Sequence, residues 1–191
     1  MILSLRSSLL IRAWRLGLWT PPDRRVLDET ILPYYARARG FERLLFVGVK
    51  KYNAKNRRLM AGRTYVTIEP EPAFARHGGE RHIQDSLQNL AKHVVPSSFD
   101  VIVVNGVIGH GLDAPADVER ALAACCDALR MGGHLVLGLN EESTDVANVH
   151  SYEPMSRLRE HCFDPLGTSR HVVQTPLRER SHSYFFFERI T

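Results

Sequence analysis

The stretch that decides the fold is Leu44-Leu45-Phe46-Val47-Gly48-Val49-Lys50-Lys51-Tyr52-Asn53. Its apolar run, 44–47, stops at a glycine that opens a polar turn. An uninterrupted apolar run bounded by a turn is typical of a strand covered on both faces, as in a parallel sheet. In open α/β sheets ligands lie beyond the carboxyl ends of the strands, so the turn at Gly48 is where we expect a ligand.

A second apolar run ends at an acidic residue. Tyr65-Val66-Thr67-Ile68 is followed directly by Glu69. Glu69 follows Gly48 by about 20 residues, the spacing at which an acidic residue contacts a nucleoside ribose in dinucleotide-binding folds. Gly48 and Glu69 are therefore the two fixed points of the predicted ligand site.

Length and composition predict one ordinary globular domain. The chain has 191 residues, of which 44% are hydrophobic and 24% charged, so it can bury a full core. The formal net charge of +4 slightly favours anionic ligands, but the arginines do not form the dense basic stripe of a nucleic-acid-binding protein. Cys125, Cys126 and Cys162 suggest neither a disulfide framework nor a zinc knuckle, and a reducing, cytoplasmic setting follows most simply.

Residues 1–40 are expected to form a helical extension. Residues 1–19 are apolar with interspersed arginines, which break the apolar core of a secretory signal, and no run is long enough to span a membrane. We expect a basic amphipathic helix that packs on the domain or on a second copy in a homodimer. A membrane surface and an organelle presequence are the alternatives. A second helix is predicted over 23–39 and ends at Gly40.

From Phe41 to the end of the chain, strands and helices alternate, which predicts a single α/β domain over 41–191 with a parallel sheet. The pattern indicates strands at 43–48, 64–69, 80–84, 99–105 and 134–139, and helices at 53–61, 86–93 and 114–130. After residue 150 we expect a helix at 154–161 and strands at 170–175 and 182–190. The short link between these last strands makes them antiparallel, because a parallel crossover needs about a dozen residues or more.

Several of these features together resemble the class I S-adenosylmethionine-dependent methyltransferase family. They are the acid that ends strand two, the Phe99-Asp100-Val101-Ile102 strand, the antiparallel terminal pair and the segment 129–137, Leu-Arg-Met-Gly-Gly-His-Leu-Val-Leu. That segment is the most specific, since the family typically has Leu-x-Pro-Gly-Gly there and Met131 replaces the proline. The resemblance covers about residues 41–190. It implies a Rossmann-like, doubly wound α/β fold with a mostly parallel seven-stranded sheet and an antiparallel last strand.

The resemblance also implies S-adenosylmethionine as cofactor, lying across the carboxyl ends of strands one to four. Carried over position by position, Gly48 and its turn would approach the methionine part. Glu69 would accept both ribose hydroxyls, and Asp85 would face the adenine amino group. Asn105 and Gly106, which end strand four, would line the wall between methyl donor and acceptor.

The first loop departs from the family's pattern. The family usually has several glycines there, whereas this loop has Gly48 alone. Either the side chains at 49–51 narrow the pocket, or Lys50 and Tyr52 make new contacts to the cofactor's carboxylate. The first outcome would leave the fold without the activity.

A glycine-rich turn after strand four carries the candidates for proton transfer. Within 106–113, His110 and Asp113 are predicted as a base that removes a proton from an oxygen or nitrogen acceptor. The alternative is that His110 is a solvated loop residue. No two histidines stand at helical ligand spacing beside an acid, so the sequence predicts no metal site.

The predicted function is methyl transfer from S-adenosylmethionine to a small molecule, with Asn105, His110 and Asp113 at the transfer face. A small acceptor is favoured because no strong nucleic-acid footprint or appended recognition domain is evident. The alternative is a methyltransferase-fold protein that has lost catalysis and acts as a binding or scaffolding subunit through its N-terminal helix. An oxidoreductase using a nicotinamide dinucleotide is disfavoured, because Gly48 is not followed by the spaced glycines that admit a pyrophosphate.

Overall fold

The computed structural model describes residues 9–10, 12–14, 16, 18–141, 149–176 and 181–191. The amphipathic helix predicted for residues 1–19 therefore lies largely outside the described residues. No helix in the described ranges is long and apolar enough to cross a membrane.

The described residues form eight strands in one mixed sheet. In chain order they are β1 (Arg43–Val47), β2 (Thr64–Ile68), β3 (Arg81–Ile83), β4 (Phe99–Asn105), β5 (Leu129–Asn140), β6 (Leu158–Glu160), β7 (Arg170–Val173) and β8 (His182–Arg189). The order across the sheet is β3-β2-β1-β4-β5-β8, and β1 to β5 run parallel. β8 runs antiparallel to β5, as predicted for the last strand.

The far edge of the sheet is shared by two short strands. β6 pairs with the carboxyl-terminal part of β8 and β7 with its amino-terminal part, both antiparallel. The sheet is therefore seven strands wide although it contains eight strands, which agrees with the predicted width.

Besides the helical residues 9–10 and 12–14, four α-helices and several short helical turns surround the sheet in the described ranges. The α-helices are α1 (Pro22–Val26), α2 (Leu32–Arg37), α3 (Asn56–Leu59) and α4 (Pro115–Ala128). A π-helical segment, Leu27–Ile31, joins α1 to α2, so the predicted helix over 23–39 is present with a widened middle turn.

Both faces of the sheet are buried, as the uninterrupted apolar run predicted. Along β1, Leu45 and Val47 belong to one core, whereas Leu44 and Phe46 belong to the other. The first core is covered by α4, and the second by the helical segment of residues 22–37. Successive strand residues point to opposite faces, so helices on both sides make the sheet doubly wound.

Two predicted helices are different structures. Residues 87–92 form a 3₁₀-helix in which Leu87 and Leu90 are buried at a spacing of one 3₁₀ turn. The predicted helix over 154–161 is wrong, because a 3₁₀-helix ends at Arg157 and β6 begins at Leu158. Pairing of β6 with β8 satisfies backbone groups that an open sheet edge would leave unpaired.

The boundary between α4 and β5 also differs from the prediction. α4 ends at Ala128, and Leu129 already has the extended φ of −73° and ψ of 141°. β5 thus begins at Leu129 rather than His134, and its pairing with β4 shifts register between Phe99 and Val101. The Gly-Gly pair lies within this irregular part of the strand, with Gly132 at a φ of +68°.

Candidate active site

A cavity of about 260 Å³ lies beyond the carboxyl ends of β1, β2 and β4. It is walled by the turns that follow these strands and by the start of the 3₁₀-helix after β3. All of the residues predicted to bind the cofactor line it, together with a predicted catalytic residue that follows β4: Gly48, Lys50, Tyr52, Glu69, Asp85, Asn105, Gly106 and His110. The structure therefore brings these residues to one place.

Gly48 occupies the position in the first turn that requires glycine. Its φ is +82°, and a Cβ there would lie 2.6 Å from Cγ2 of Val107. Val49 is fully buried, and neither Val49 nor Lys51 is among the residues that line the cavity. The glycine-poor turn thus leaves space beside Gly48, and Lys50 and Tyr52 are the turn's side chains at the cavity.

The carboxylate of Glu69 is held at the cavity wall with only 8% of its side chain exposed. Its Oε1 accepts a hydrogen bond from the backbone N–H of Glu71 at 3.2 Å. The Nζ of Lys50 lies 3.8 Å from the same oxygen and 4.1 Å from the ring centroid of Phe74. These contacts fix the orientation of the carboxylate through a single oxygen.

Asp85 lines the cavity, but both of its carboxylate oxygens form hydrogen bonds within or next to the 3₁₀-helix that follows it. Its Oδ1 accepts from the N–H of Ser86 at 2.7 Å and from Nδ2 of Asn89 at 2.8 Å. Its Oδ2 lies 2.7 Å from Nε2 of His93. The hydrogen bond to His93, followed by those to Asn89 and Ser86, lowers the pKa of Asp85 to about 2. The residue is therefore a stable anion at the predicted adenine side.

Four polar side chains form a continuous chain of contacts across the ends of β4, β5 and β8; we call it the transfer-face chain. Nε2 of His110 lies 2.6 Å from Nδ2 of Asn140, whose Oδ1 lies 2.8 Å from Nδ1 of His182. Nε2 of His182 then lies 3.1 Å from Oδ1 of Asn105. Asn140 and His182 are only 3% and 2% exposed.

Sequence reasoning missed the two buried members of this chain. Asn140 ends β5 as Asn105 ends β4, so a polar residue at the end of an apolar strand was a usable signal. His182 had no such signal, because its place follows from the antiparallel register that puts it opposite Asn140.

Asp113 does not join the other candidates. Its side chain is exposed, lies outside the cavity lining and accepts a hydrogen bond from the N–H of Gly111 at 3.2 Å. Among the described residues, no group of three or more histidine, cysteine or acidic side chains is placed to hold a metal ion.

Gly138→Ala is expected to disrupt the transfer-face chain. A Cβ at this position would lie 1.9 Å from Oδ1 of Asn105 and 2.9 Å from Nε2 of His182. Overpacking of this kind costs about 1 to 3 kcal/mol, and the side chain of Asn105 must move. Urea unfolding and the NMR signals of Asn105 and His182 will measure both effects.

The matched control for this variant is Gly167→Ala. Gly167 has a φ of +63°, and a Cβ there meets nothing within 4 Å, so it carries only a backbone cost of about 1 to 2 kcal/mol. Gly138→Ala must change the Asn105 signals while Gly167→Ala leaves them in place. Unchanged Asn105 signals in Gly138→Ala would contradict the close contact.

Comparison with known proteins adds a family match. Residues 50–137 match the family model described as a methyltransferase domain. No curated protein matches the sequence significantly.

Three solved structures illustrate the similarity of the fold. The N-methyltransferase NodS from Bradyrhizobium japonicum WM9, in complex with S-adenosyl-L-homocysteine, has a TM-score of 0.67 at 18% identity, over 96% of this chain and 97% of NodS. An rRNA methylase from Streptococcus thermophilus has a TM-score of 0.55 at 14% identity, over 84% of this chain and 95% of that one. The 16S rRNA N2 G1207 methyltransferase RsmC from T. thermophilus has a TM-score of 0.53 at 16% identity, over 90% of this chain and 41% of RsmC.

The structural similarities confirm the predicted fold class, and the family match confirms the predicted enzyme class, a methyltransferase. Residues 50–137 thus match a methyltransferase domain, in agreement with the predicted resemblance to the class I S-adenosylmethionine-dependent methyltransferase family.

Proposed function

We propose that this protein transfers a methyl group from S-adenosylmethionine to a small-molecule acceptor. The observation that carries the proposal is the cavity that joins the Gly48 turn and the Glu69 carboxylate to Asn105 and His110. The residues proposed to bind the nucleoside and the polar residues proposed to act at the transfer site thus line the same cavity.

The residues of the cavity fit the cofactor. The Glu69 carboxylate is oriented and offers acceptors to a ribose diol, and Gly48 lets the backbone come close. The ammonium of Lys50, on a side chain that is 44% exposed, supplies a positive charge for a carboxylate at the cavity. When bound, the cofactor supplies an activated methyl group on a sulfonium that leaves readily.

The chain's own residues then position the acceptor. Holding an acceptor in line with the methyl group supplies most of the rate of such a transfer. The amide of Asn105 orients a nucleophile by hydrogen bonding, and His110 takes the proton that the nucleophile loses. Asp113 shapes the turn that carries His110, through its bond to the N–H of Gly111.

The charge around the cavity supports a small acceptor. Lys50 is the one lysine or arginine among the described residues that line it. A nucleic-acid acceptor would instead require several cations to neutralise phosphates near the transfer site. NodS is named as an N-methyltransferase, so amines are the first acceptor class to test.

Calorimetry with S-adenosylmethionine and S-adenosyl-L-homocysteine tests the proposal, followed by assays of radiolabelled methyl transfer to an amine panel and to total RNA. We expect heat of binding with both ligands, with dissociation constants on the order of micromolar, and methylation in the amine panel. Absence of heat with both ligands would reject the function and leave the scaffolding role. Labelling of RNA alone would reject the small acceptor.

A further inference from the structure

The transfer-face chain determines which nitrogen of His110 carries a proton. A neutral imidazole has one donor nitrogen and one acceptor nitrogen, whereas an amide has a donor and an acceptor end. His182 contacts Asn140 through Nδ1 and Asn105 through Nε2. If both amides present oxygen to it, His182 must be a cation while only 2% exposed. A neutral His182 avoids the cost of burying a charge.

Two neutral arrangements satisfy the same heavy-atom positions, because amide oxygen and nitrogen can exchange places by a half-turn. In one, Asn140 presents its oxygen to His110 and its N–H to His182, and His182 donates to Asn105. In the other, every hydrogen bond runs in the opposite direction. The two arrangements leave opposite tautomers on His110.

The shortest contact distinguishes the two directions. Nε2 of His110 lies 2.6 Å from the terminal side-chain atom of Asn140. An N–H donor approaches an oxygen more closely than a nitrogen, because oxygen is the smaller atom, and 2.6 Å is already at the short end for an oxygen acceptor. The first arrangement is therefore favoured, with the N–H of His110 at Nε2.

The geometry points to Asn140 and His182 as positioning residues that fix His110 as the Nε2–H tautomer and leave its Nδ1 lone pair as the base for an acceptor bearing N–H or O–H. This inference rests on the proposed function. As the acceptor's heteroatom bonds to the methyl carbon, the electron pair of the broken carbon–sulfur bond stays on sulfur. The acceptor's proton passes to Nδ1, and Asn140 continues to accept from Nε2–H of the resulting imidazolium.

The same arrangement assigns a role to Asn105. Because His182 donates to its Oδ1, the amide of Asn105 keeps its Nδ2–H groups as donors at the transfer face. Such a donor contacts a lone pair of the acceptor heteroatom. The chain therefore links proton removal by His110 to orientation by Asn105 through two buried side chains.

Long-range ¹H–¹⁵N correlation spectra of the histidine rings in the full-length, ligand-free protein measure the tautomer directly, and a His110→Gln variant assigns the signal. We expect His110 as a single Nε2–H tautomer in the wild type. In Asn140→Leu we expect this single tautomer to be lost, giving the averaged signal of an unconstrained ring. A single Nδ1–H tautomer in the wild type, or an averaged signal there, would overturn the inference.

Two further variants separate positioning from folding. Asn140→Asp keeps an oxygen acceptor and is expected to retain the Nε2–H tautomer even if Asn140→Leu unfolds. Gln174→Leu removes an amide outside the chain, where it donates to Ser181, and is expected to leave His110 unchanged. Loss of the tautomer in Asn140→Asp, or an equal loss in Gln174→Leu, would contradict the assigned role.

This experiment can fail independently of the proposed function. The tautomer is measured without ligand, whereas cofactor binding is measured by calorimetry on the wild-type protein. Binding with the wrong tautomer rejects only the positioning role. The correct tautomer without binding rejects the proposed function, and with it the use of Nδ1 as a base, but leaves the fixed tautomer of His110 established.

Discussion

Glu69→Ala is expected to weaken binding of S-adenosylmethionine by about 5- to 150-fold. Removing one partner of a buried hydrogen bond costs about 1 to 3 kcal/mol, and charged partners lie at the upper end. The Glu69 side chain is 8% exposed and lines the cavity. The substitution would therefore remove a hydrogen-bond acceptor that is shielded from water, and water would not replace it as readily as it replaces an exposed carboxylate. Calorimetric titration of wild type and variant gives the ratio of dissociation constants.

Glu71→Ala is the matched control for this substitution. Glu71 is an exposed acid two positions along the chain, lies outside the cavity lining and accepts a hydrogen bond from Ala73 N–H at 3.3 Å. Its removal makes the same change in net charge and should leave the dissociation constant nearly unchanged. Equal affinities for wild type and Glu69→Ala would show that this carboxylate does not contact the ligand.

The protein is expected to lose about 2 kcal/mol of stability between about pH 7 and pH 5 through His134 alone. His134 is 7% exposed, and its Nδ1 lies within hydrogen-bond distance of the hydroxyl of Tyr35, at 3.1 Å. Burial, and then the neighbouring His161, lowers the pKa of His134 to about 4 from the ordinary 6.5.

The direction of this effect follows from where the proton binds. Below about pH 6.5 the unfolded chain protonates this histidine while the folded chain keeps it neutral until about pH 4. The stabilisation is therefore complete above pH 6.5 and declines as the pH falls through this window. Burial also lowers the pKa of His82, which adds a contribution of the same sign.

His134→Gln isolates the contribution of His134. Glutamine cannot titrate but can still form a hydrogen bond with the hydroxyl of Tyr35, so the variant should lose less stability than wild type between about pH 7 and pH 5. Urea unfolding at both pH values measures the difference. His171→Gln, on β7, should keep the wild-type loss, and an unchanged loss in His134→Gln would contradict the assignment.

The sequence was sufficient to predict that Gly48 and Glu69 line one cavity. The apolar run of β1 and the acid after β2 each depend on residues within one strand and its turn, and parallel strands place their carboxyl ends at one edge. The segment around Gly132 and Gly133 was the most specific part of the resemblance to the methyltransferase family, although the strand begins before these glycines. Patterns within single strands and their turns were therefore enough to predict both the fold and the candidate cofactor-binding residues.

The transfer-face chain could not be predicted in this way. His182 lies 42 positions from Asn140 and 77 positions from Asn105, and these contacts depend on the register of an antiparallel strand. A one-residue slip in that register would turn His182 to the other face of the sheet. The β6 strand could not be predicted from local sequence either, because its extended conformation depends on pairing with the edge of β8 and not on its own hydrophobic periodicity.

The position of β8 has a consequence for synthesis of the protein. This strand follows the other strands in the chain but lies inside the sheet, between β5 and the pair formed by β6 and β7. Until β8 leaves the ribosome, β5 presents an unpaired hydrophobic edge, which is a template for aggregation. A nascent or prematurely terminated chain that stops before residue 182 should therefore depend on chaperones to remain soluble.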